Sequence, residues 1–418
     1  MKKLLLIAAV SLAVLSACDK SDNGNEEPPV KDPVRTIIVY MAGENNLTDY
    51  AQSDINEMIT GMKTSKDCDN LVVFVDRAST TQQPFIIKIG NDTKQPIDTI
   101  RKYDTDFYSS DPSKMKEVLE WIVKGYPADD YGLVLWGHAN GWVIMNDVIP
   151  TGKAPRRAYG VDNGTNSGSS ASGVWLNIPK MRQVLEGLPG LKFIFADCCN
   201  MQGAEVAYEL KDVTEYIIAS PAEITGSGAP YGTIIPDLFL RDDKQMYTST
   251  CDDYYKQVDP TGGHLPISVI KTSGMKTLAS ATRSVLSGIF DGKAISTDGL
   301  IYYYAYDSSN PEEHVQYDMQ DFIRAYTDAA EYDSWKATFD QTVIYRKESV
   351  KWHANLVSFS YFSDSERDAS GLSPALESQG CINMFIPLAR YEGTMLKYNT
   401  LIKQMKWYQA VGWESLGW

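Results

Sequence analysis

Several patterns that mark common functional classes are scarce or missing in this chain of 418 residues. Six cysteines are too few for a disulfide scaffold at this length, and the sequence does not choose a pairing among Cys68, Cys251 and Cys381. There are four histidines, with no Cys-x-x-Cys pair and no His-Glu-x-x-His motif, so the sequence does not predict a catalytic zinc site. We predict that the chemistry requires no metal or other cofactor.

The chain also lacks a glycine-rich phosphate loop and an internal repeat. Its formal net charge is −15, which argues against nucleic acid as a partner but not against cationic side chains as substrates. No stretch beyond the N-terminal segment is apolar enough to span a membrane. What the chain does have is a hydrophobic fraction of 43%, enough for a large packed core.

The N-terminus has the pattern of a secretory signal, in which two lysines precede a short apolar run. The run ends in Leu-Ser-Ala-Cys, which resembles the bacterial lipobox and implies that Cys18 is lipidated. We predict a lipoprotein signal peptide over residues 1–17 and a polar, disordered tether over residues 18–33. The protein would be secreted across the inner membrane and anchored by lipid to a bacterial membrane, at the outer membrane or cell surface. An ordinary cleaved signal with an incidental cysteine is the alternative.

Apolar, β-branched runs alternate with helical patterns along most of the chain, which predicts an α/β fold with a mostly parallel sheet covered by helices on both faces. We predict strands at residues 35–42, 70–76, 85–89 (at an edge), 131–136, 191–196, 216–220, 267–270, 356–362 and 381–386, and helices ending at residue 62 and spanning residues 112–125, 178–188, 203–210 and 276–290. We assign residues 34–265 to a catalytic domain and residues 266–418 to a smaller mixed α/β lobe. In such sheets the active site forms at the carboxyl ends of the strands.

Two predicted strands end in reactive residues. Residues 131–136 run into Gly-His-Ala-Asn-Gly, which contains His138, and residues 191–196 run into Asp-Cys-Cys-Asn, which contains Cys199. His138 precedes Cys199 by about sixty residues, the order found in caspase-type peptidases. A thiolate is a nucleophile, and a nearby imidazole can take its proton and later protonate the leaving amine. The pattern favours a Cys-His enzyme.

Structural roles are the alternative for the same residues. A cysteine at a strand end is often a small buried hydrophobe, and a histidine there is often a satisfied structural group. His264, His314 and His353 have no comparable setting, and we interpret each as structural or exposed at the surface.

At these residues the sequence is similar to the clostripain family of cysteine peptidases, relatives of caspases, gingipains and legumain. The segment WGHANGW resembles the family's catalytic-histidine motif, and DCCNMQGAEVAYEL resembles its Asp-x-Cys-x-Met-x-x-x-Glu motif. The second motif is carried by Asp197, Cys199, Met201 and Glu205. Segments near both ends, including IIVYMAGENNL with Glu44 in place of the usual Asp, extend the resemblance over most of the mature chain. The resemblance implies a caspase-like fold.

The resemblance also implies a role for each residue of the motifs. His138 is the general base and acid, Cys199 is the nucleophile, and the backbone N–H groups of Cys199 and Ala139 form the oxyanion hole. Asp197 matches the residue that contacts a basic P1 side chain, although it could instead only hold its loop. Ala139 departs from the usual glycine, which would cost on the order of 1 kcal/mol if its φ had to be positive.

The function implied is a lipid-anchored cysteine endopeptidase that cleaves after Arg, and more weakly after Lys, through an acyl-enzyme. Its partners would be peptides or proteins with basic P1 residues. A catalytically degenerate surface binding protein and a transpeptidase on the same fold are the alternatives. The resemblance also raises calcium dependence, but no spacing of acidic residues in the sequence assigns a site.

The segment between the two motifs has the composition of an exposed loop. Residues 150–173 are rich in Gly, Ser, Thr and Asn, without apolar periodicity. They include Lys153, Arg156 and Arg157, whose side chains suit the predicted S1 pocket. We predict self-processing after Arg157, with Lys153 and Arg156 as lesser sites. A long loop that is never cut is the alternative.

Overall fold

The structure is a computed structural model that describes residues 34–65, 69–79, 81–144, 159–164, 173–257, 264–291, 295–305, 314–349, 352, 379–393 and 397–418. Its elements are β1 (Arg35–Gly43), α1 (Thr48–Met62), β2 (Asn70–Arg77), β3 (Phe85–Ile89), β4 (Ile97–Lys102), α2 (Pro112–Gly125), β5 (Asp130–Gly137), β6 (Tyr159–Asp162), β7 (Val174–Leu176), α3 (Ile178–Leu185), β8 (Leu191–Asp197), α4 (Ala204–Leu210), β9 (Thr214–Ala219), α5 (Tyr231–Leu238), α6 (Asp243–Lys256), β10 (Ile267–Lys271), α7 (Met275–Ile289), β11 (Tyr302–Ala305), β12 (His314–Asp318), α8 (Met319–Tyr326), α9 (Ala329–Thr342), β13 (Val343–Lys347), β14 (Asn383–Met384), α10 (Tyr398–Leu401) and α11 (Lys406–Ala410). The predicted signal peptide, tether, processing loop and strand at residues 356–362 lie outside the described residues.

Within the described part of the chain, the main sheet has nine strands in the order β13-β10-β9-β8-β5-β1-β2-β3-β4. The five central strands, from β9 to β2, run parallel. The outer strands on each side pair antiparallel. A smaller antiparallel sheet joins β11, β12 and β14.

Alternating side chains of β1 explain why helices cover both faces of the sheet. Ile38 and Tyr40 belong to an apolar core that also contains the buried faces of α2, α3, α4 and α7. Ile37 and Val39 belong to a second core on the opposite face, with α1, α5 and α6. Successive strand residues point to opposite faces, so an unbroken apolar strand needs a cover on each side. The prediction of a sheet sandwiched by helices is confirmed.

The prediction for one edge of this sheet was wrong. Residues 85–89 were expected at an edge, but β3 pairs with β4 on its outer side. The strand β4 was not predicted because its sequence, IDTIRK, is mostly polar and has no apolar run. Its side chains are half-buried or exposed, as expected at the edge of a sheet.

The segment assigned to the second lobe contributes to the main sheet. The strand β10 pairs with β9, and β13 pairs with β10, so the sheet continues through the boundary drawn near residue 266. Residues Pro33–Trp418 cluster as one unit by their contacts. Of the helices in the described ranges, none is long and apolar enough to cross a membrane.

Candidate active site

The order of the parallel strands reverses direction at β1. From β1 the chain moves to β2 on one side, and later to β5, β8 and β9 on the other. Ligands bind at such a switch point, beyond the carboxyl ends of the strands. His138 follows β5 and Cys199 follows β8, and these strands are direct neighbours with Trp136 opposite Asp197. Each reactive residue therefore stands two positions beyond a paired residue, on the same edge.

His138 is half-buried, and its orientation is set by two neighbouring segments. Its Nε2 lies 2.6 Å from Oδ1 of Asn46, and because an amide oxygen only accepts, Nε2 must donate the proton. That tautomer leaves Nδ1 with the lone pair that a base requires. The carbonyl of His138 accepts a hydrogen bond from Gly160 N–H at 2.7 Å, and Ala139 forms an isolated bridge with Tyr159.

Asn46 is a site residue that the sequence did not nominate. Nothing in its local sequence relates it to a histidine far along the chain. The sequence signal that could have indicated it is its position three residues beyond Gly43, the carboxyl end of β1, which is the strand next to β5.

Cys199 and Cys198 occupy different environments. Cys198 is fully buried within the apolar core on the α2 and α3 side of the sheet. Cys199 retains 8% of its accessible surface, and its Sγ accepts a hydrogen bond from Ile224 N–H at 3.4 Å. Burial and the nearby Glu223 carboxyl raise the pKa of the Cys199 thiol to about 12. Both effects favour the protonated thiol over the thiolate.

Asn200 adopts a left-handed conformation immediately after Cys199, with φ of +59°, which asparagine tolerates better than most residues. Its N–H donates to the Ala222 carbonyl at 2.9 Å. Its side-chain amide donates to Oδ1 of Asn140 at 3.2 Å, which joins the cysteine loop to the histidine loop. Non-glycine residues with positive φ in the described ranges are Asn200, Cys381 and Lys397, so Ala139 carries no strain in place of glycine.

Asp197, the predicted S1 residue, is 3% exposed at the end of β8. Its Oδ2 accepts from the Tyr231 hydroxyl at 2.7 Å and from Ala229 N–H at 3.1 Å. Its Oδ1 is buried with no hydrogen-bond partner among the described residues. Burial raises the pKa of Asp197 to about 6 despite those two hydrogen bonds. Gly228, with φ of +59°, borders this carboxyl, and a Cβ there would lie 2.7 Å from Oδ2.

Further acidic groups surround Asp197 and Cys199, and the sequence did not single them out. Asp54 accepts from the Trp136 indole N–H at 2.6 Å, and burial with the nearby Asp197 charge raises the pKa of Asp54 to about 8. Glu57 accepts from Tyr231 N–H at 2.9 Å. Burial raises the pKa of Glu223 to about 8, and both of its carboxyl oxygens lack a hydrogen-bond partner in the described part of the chain. Asp54 and Glu223 therefore favour their protonated, neutral forms below a pH of about 8.

A second group of carboxylates, Glu44, Asp76 and Asp162, lies at the same edge of the sheet, and we call it the acidic cluster. All three residues are buried, and one oxygen from each lies within 4.8 Å of the others. Burial and the neighbouring Asp162 and Glu44 raise the pKa of Asp76 well above its usual value. Oxygen-only ligands suit a hard divalent cation such as calcium, so these residues could hold the metal that the family resemblance raises.

The remaining predicted residues fall into two groups. Cys18, Cys68, Lys153, Arg156, Arg157 and His353 lie outside the described residues. His264 bonds the Tyr255 carbonyl through Nδ1 at 2.6 Å, and His314 stacks on Tyr302 with ring centroids 3.5 Å apart. Cys198, Cys199, Cys251 and Cys381, the cysteines that the structure describes, are buried, and no disulfide joins any of them.

Comparison with known proteins places this geometry in a family. The model of the clostripain family matches residues 39–418. The chain belongs to the clostripain family. Clostripain of Hathewaya histolytica is 25% identical over 226 residues, which are 48% of this chain and 41% of clostripain. The match thus covers less than half the length of that relative.

Solved structures agree with this family and with its fold. A secreted cysteine protease from Bacteroides thetaiotaomicron, crystallised with an irreversible peptide inhibitor, is 28% identical, with a TM-score of 0.73 over 91% of this chain and 99% of its own. An inactive zymogen from Parabacteroides distasonis has a TM-score of 0.71 at 24% identity, covering 90% of this chain and 97% of its own. The predicted caspase-like fold is confirmed, and the clostripain family is a family of cysteine-type endopeptidases.

Proposed function

We propose that this member of the clostripain family is a lipid-anchored cysteine endopeptidase that cleaves after Arg, and more weakly after Lys. The observation that carries the proposal is the placement of His138 and Cys199. They stand at equivalent positions beyond the ends of two neighbouring parallel strands, and Asn140 and Asn200 join their loops. A nucleophile and a base held on one rigid edge are the requirement of covalent catalysis.

In this mechanism His138 accepts the thiol proton of Cys199 at Nδ1, while Asn46 holds the opposite ring nitrogen. The thiolate attacks the substrate carbonyl carbon, and the backbone N–H groups of Cys199 and Ala139 stabilise the oxyanion. The imidazolium then protonates the leaving amine, which leaves a thioester acyl-enzyme. Water, deprotonated by His138, attacks the thioester and releases the acid and the free thiol.

Substrate charge has a direct role in this scheme. The carboxyls of Glu223 and Asp197 both raise the pKa of the Cys199 thiol. An Arg side chain bound at Asp197 would offset that negative charge and lower the thiol pKa, since a nearby cation favours an anion. The free Oδ1 of Asp197 is an acceptor that suits a guanidinium N–H. A basic P1 residue would thus both fill the pocket and assist ionisation of the nucleophile.

The location of the enzyme is also part of the proposal. The apolar N-terminal run ending at Cys18 supports secretion followed by lipid anchoring, at the outer membrane or cell surface. The similar Bacteroides thetaiotaomicron protease is described as secreted. Labelling cells with a clickable fatty acid would test the anchor. We expect label on the wild type, and a Cys18→Ala protein that still carried label would contradict it.

A fluorogenic scan of P1 residues tests the activity most directly. We expect hydrolysis of Arg substrates above Lys substrates, with Cys199→Ala inactive. No hydrolysis with any P1 residue would support a degenerate binding protein. Product analysis with an added amine acceptor separates the other alternative, because a transpeptidase would yield mainly the ligated peptide. A preference for Asp, Asn or an apolar P1 residue would refute the role of Asp197.

A further inference from the structure

Tyr50 is unusually exposed for a large aromatic side chain of this protein. It is 42% exposed, and in the part of the chain that the structure describes Tyr108 is the other exposed large apolar side chain. Tyr50 lies in the first turn of α1, which begins just beyond the carboxyl end of β1. Because β1 runs parallel to β5 and β8, that turn lies at the same edge of the sheet as His138 and Cys199.

The ring of Tyr50 packs against the loop that follows β9. A Cβ atom built on Gly226 would lie 3.0 Å from both Cε2 and Cζ of Tyr50, so the ring lies against the Gly226 backbone. Gly226 belongs to a turn, since the Gly228 N–H donates to the Thr225 carbonyl at 3.0 Å. The turn therefore passes directly beside the phenol.

The same turn borders the predicted S1 carboxyl and the nucleophile. Gly228 lies against Asp197, because a Cβ atom built there would be 2.7 Å from Oδ2. Ile224, which precedes the turn, donates its N–H to Cys199 Sγ at 3.4 Å. The two glycines of the turn have Cα atoms at most about 7 Å apart, which is similar to the length of an arginine side chain. Tyr50 and Asp197 thus flank one short turn beside the reactive thiol.

One face of α1 links Tyr50 to the surroundings of Asp197. Asp54 and Glu57 follow Tyr50 at helical spacing, so the three side chains share a face. The Asp197 charge contributes to the raised pKa of Asp54. Glu57 accepts from the Tyr231 N–H at 2.9 Å, and the Tyr231 hydroxyl donates to Asp197 at 2.7 Å. Tyr50 lies one helical turn, about 5.4 Å, nearer to the catalytic edge than Asp54, so it stands at the outer end of this face.

Asp197 keeps an unused hydrogen-bond acceptor near the phenol. The residue is 3% exposed, and its Oδ1 has no hydrogen-bond partner among the described residues. A buried carboxylate oxygen without a partner is costly, and a donor from a ligand would relieve that cost. A guanidinium group can satisfy both side chains at once, because its edge donates to a carboxylate while its planar face stacks on an aromatic ring.

We propose that Tyr50 is a specificity-determining residue that stacks on the guanidinium of a P1 Arg bound at Asp197. The inference rests on the proposed peptidase function, and it assigns the preference for Arg over Lys to an aromatic contact as well as to the carboxylate. A lysine ammonium would still pair with Asp197, but it would gain less from the ring because it is compact and strongly hydrated. The carboxylate selects a basic side chain, and Tyr50 selects between the two basic side chains.

Steady-state kinetics of Tyr50→Leu with matched Arg and Lys substrates test this role. Leucine keeps an apolar side chain beside Gly226 but removes the aromatic face. We expect kcat/KM for the Arg substrate to fall roughly 3- to 30-fold, with a smaller loss for Lys, so that the Arg-to-Lys ratio falls. Tyr50→Phe should keep most of the ratio. Tyr108→Leu, at the other exposed tyrosine, is the matched control and should leave the ratio unchanged.

The ratio also separates a specificity role from a structural one. It compares two substrates on the same protein, so a variant that folds incompletely loses both rates in proportion and keeps its ratio. Equal losses on Arg and Lys substrates in Tyr50→Leu would show that Tyr50 only holds the turn, and would overturn the proposal. A ratio that fell equally in Tyr108→Leu would overturn it as well.

Binding to the Cys199→Ala chain distinguishes failure of this proposal from failure of the proposed function. The probes are two peptide amides that end in Arg or in Lys, and calorimetry measures both Kd values without turnover. Adding Tyr50→Leu should weaken binding of the Arg peptide by roughly 3- to 30-fold and binding of the Lys peptide less. If wild type were inactive but this difference remained, the peptidase function would fall and the role of Tyr50 would stand. An Arg peptide that bound equally with and without the ring, or that did not bind at all, would overturn the proposal.

Discussion

The loop that carries Cys199 and the loop that carries His138 are held in place by different kinds of contact. On the cysteine side, the fold itself supplies buried hydrogen bonds: the Asn383 side chain donates to the Asn200 carbonyl at 3.3 Å and to the Pro221 carbonyl at 2.9 Å. The Gln202 side chain donates to the Ser268 carbonyl at 2.8 Å. On the histidine side, support comes from the exposed Asn46 and the four-residue strand β6. The cysteine loop is therefore held by buried side chains from several distant segments, whereas the histidine loop is held by Asn46 and by one short strand, β6, whose Tyr159 is buried in the core.

That difference has a consequence for regulation. The groups that support Cys199 lie just beyond β9 and within β10 and β14, and Asn383, Gln202 and Ser268 are fully buried. The segment that supports His138 begins at Tyr159, two residues after the predicted cleavage position at Arg157. A change in the position of β6 would therefore act directly on the histidine loop, and it would reach the cysteine loop through the hydrogen bond between Asn140 and Asn200.

Removing either member of the catalytic pair should have the largest effect. We expect Cys199→Ala and His138→Ala to abolish hydrolysis to similar extents, because such a pair acts as a unit. Cys198→Ala is the matched control and should keep most activity, since Cys198 is packed in the core. Steady-state rates on an Arg substrate measure this, and loss of activity in the Cys198 variant alone would reverse the assignment.

Self-processing should depend completely on the Cys199 thiol. Purified wild type should carry a new N-terminus at Ala158, after Arg157, and Cys199→Ala should remain one chain. N-terminal sequencing of both proteins decides this. Identical cuts in both would point to an outside protease, and an intact but active wild type would contradict the prediction.

Asp197→Asn should reduce kcat/KM for Arg substrates by orders of magnitude. Loss of one partner of a buried charge pair costs about 2–5 kcal/mol. The matched substrate is citrulline, which has the shape of Arg without the charge, and its hydrolysis should change little. Equal losses on both substrates would show that Asp197 only holds its loop.

The same pair of substrates yields a pH prediction. The pKa of Asp197 is raised to about 6, so its carboxyl is charged above that pH and protonated below it. The ratio of kcat/KM for Arg over citrulline should therefore fall as pH drops through about 6, because protonation removes the partner of the guanidinium. The ratio cancels pH effects that the two substrates share, and it should be independent of pH in Asp197→Asn.

Asn46→Ala should lower kcat by a smaller factor, roughly 10- to 100-fold, since the ring of His138 would lose the acceptor that sets its tautomer. Asn46→Asp retains an acceptor and should recover most of the rate. The measurement is kcat with KM monitored separately. A change in KM alone would assign Asn46 to substrate binding instead.

The smallest effect expected is on the pH dependence of stability. Glu205 accepts from Phe385 N–H at 2.8 Å, and burial raises the pKa of Glu205 to about 8. The folded state then keeps a proton that the unfolded state releases, so stability should fall as pH rises from about 4.5 to about 8. Glu205→Gln keeps an acceptor without the charge and should flatten that slope in urea unfolding. An unchanged slope would contradict the raised pKa.

Much of the fold could be predicted from the sequence because apolar runs and helical periodicity are local signals. The runs that became β1, β2, β5 and β8 were read within one or two residues of their observed ends. The half-exposed β4 gave no such signal, and β10 was assigned to a second lobe because strand pairing is not local. Only contacts between distant segments decide which strands share a sheet.

Some features of the candidate site could likewise be predicted from the sequence, and others could not. By itself, the sequence determined the family, the order of the reactive residues and their position at strand ends. These features could be predicted because short motifs and strand ends depend on residues that are adjacent in the chain. Tertiary structure decided that Asn46 reaches His138, that Cys198 faces the core while Cys199 does not, and that Glu44, Asp76 and Asp162 converge. These groups are far apart along the chain. Their distances and burial, and therefore their charges and hydrogen bonds, exist only once the sheet has brought its strand ends together.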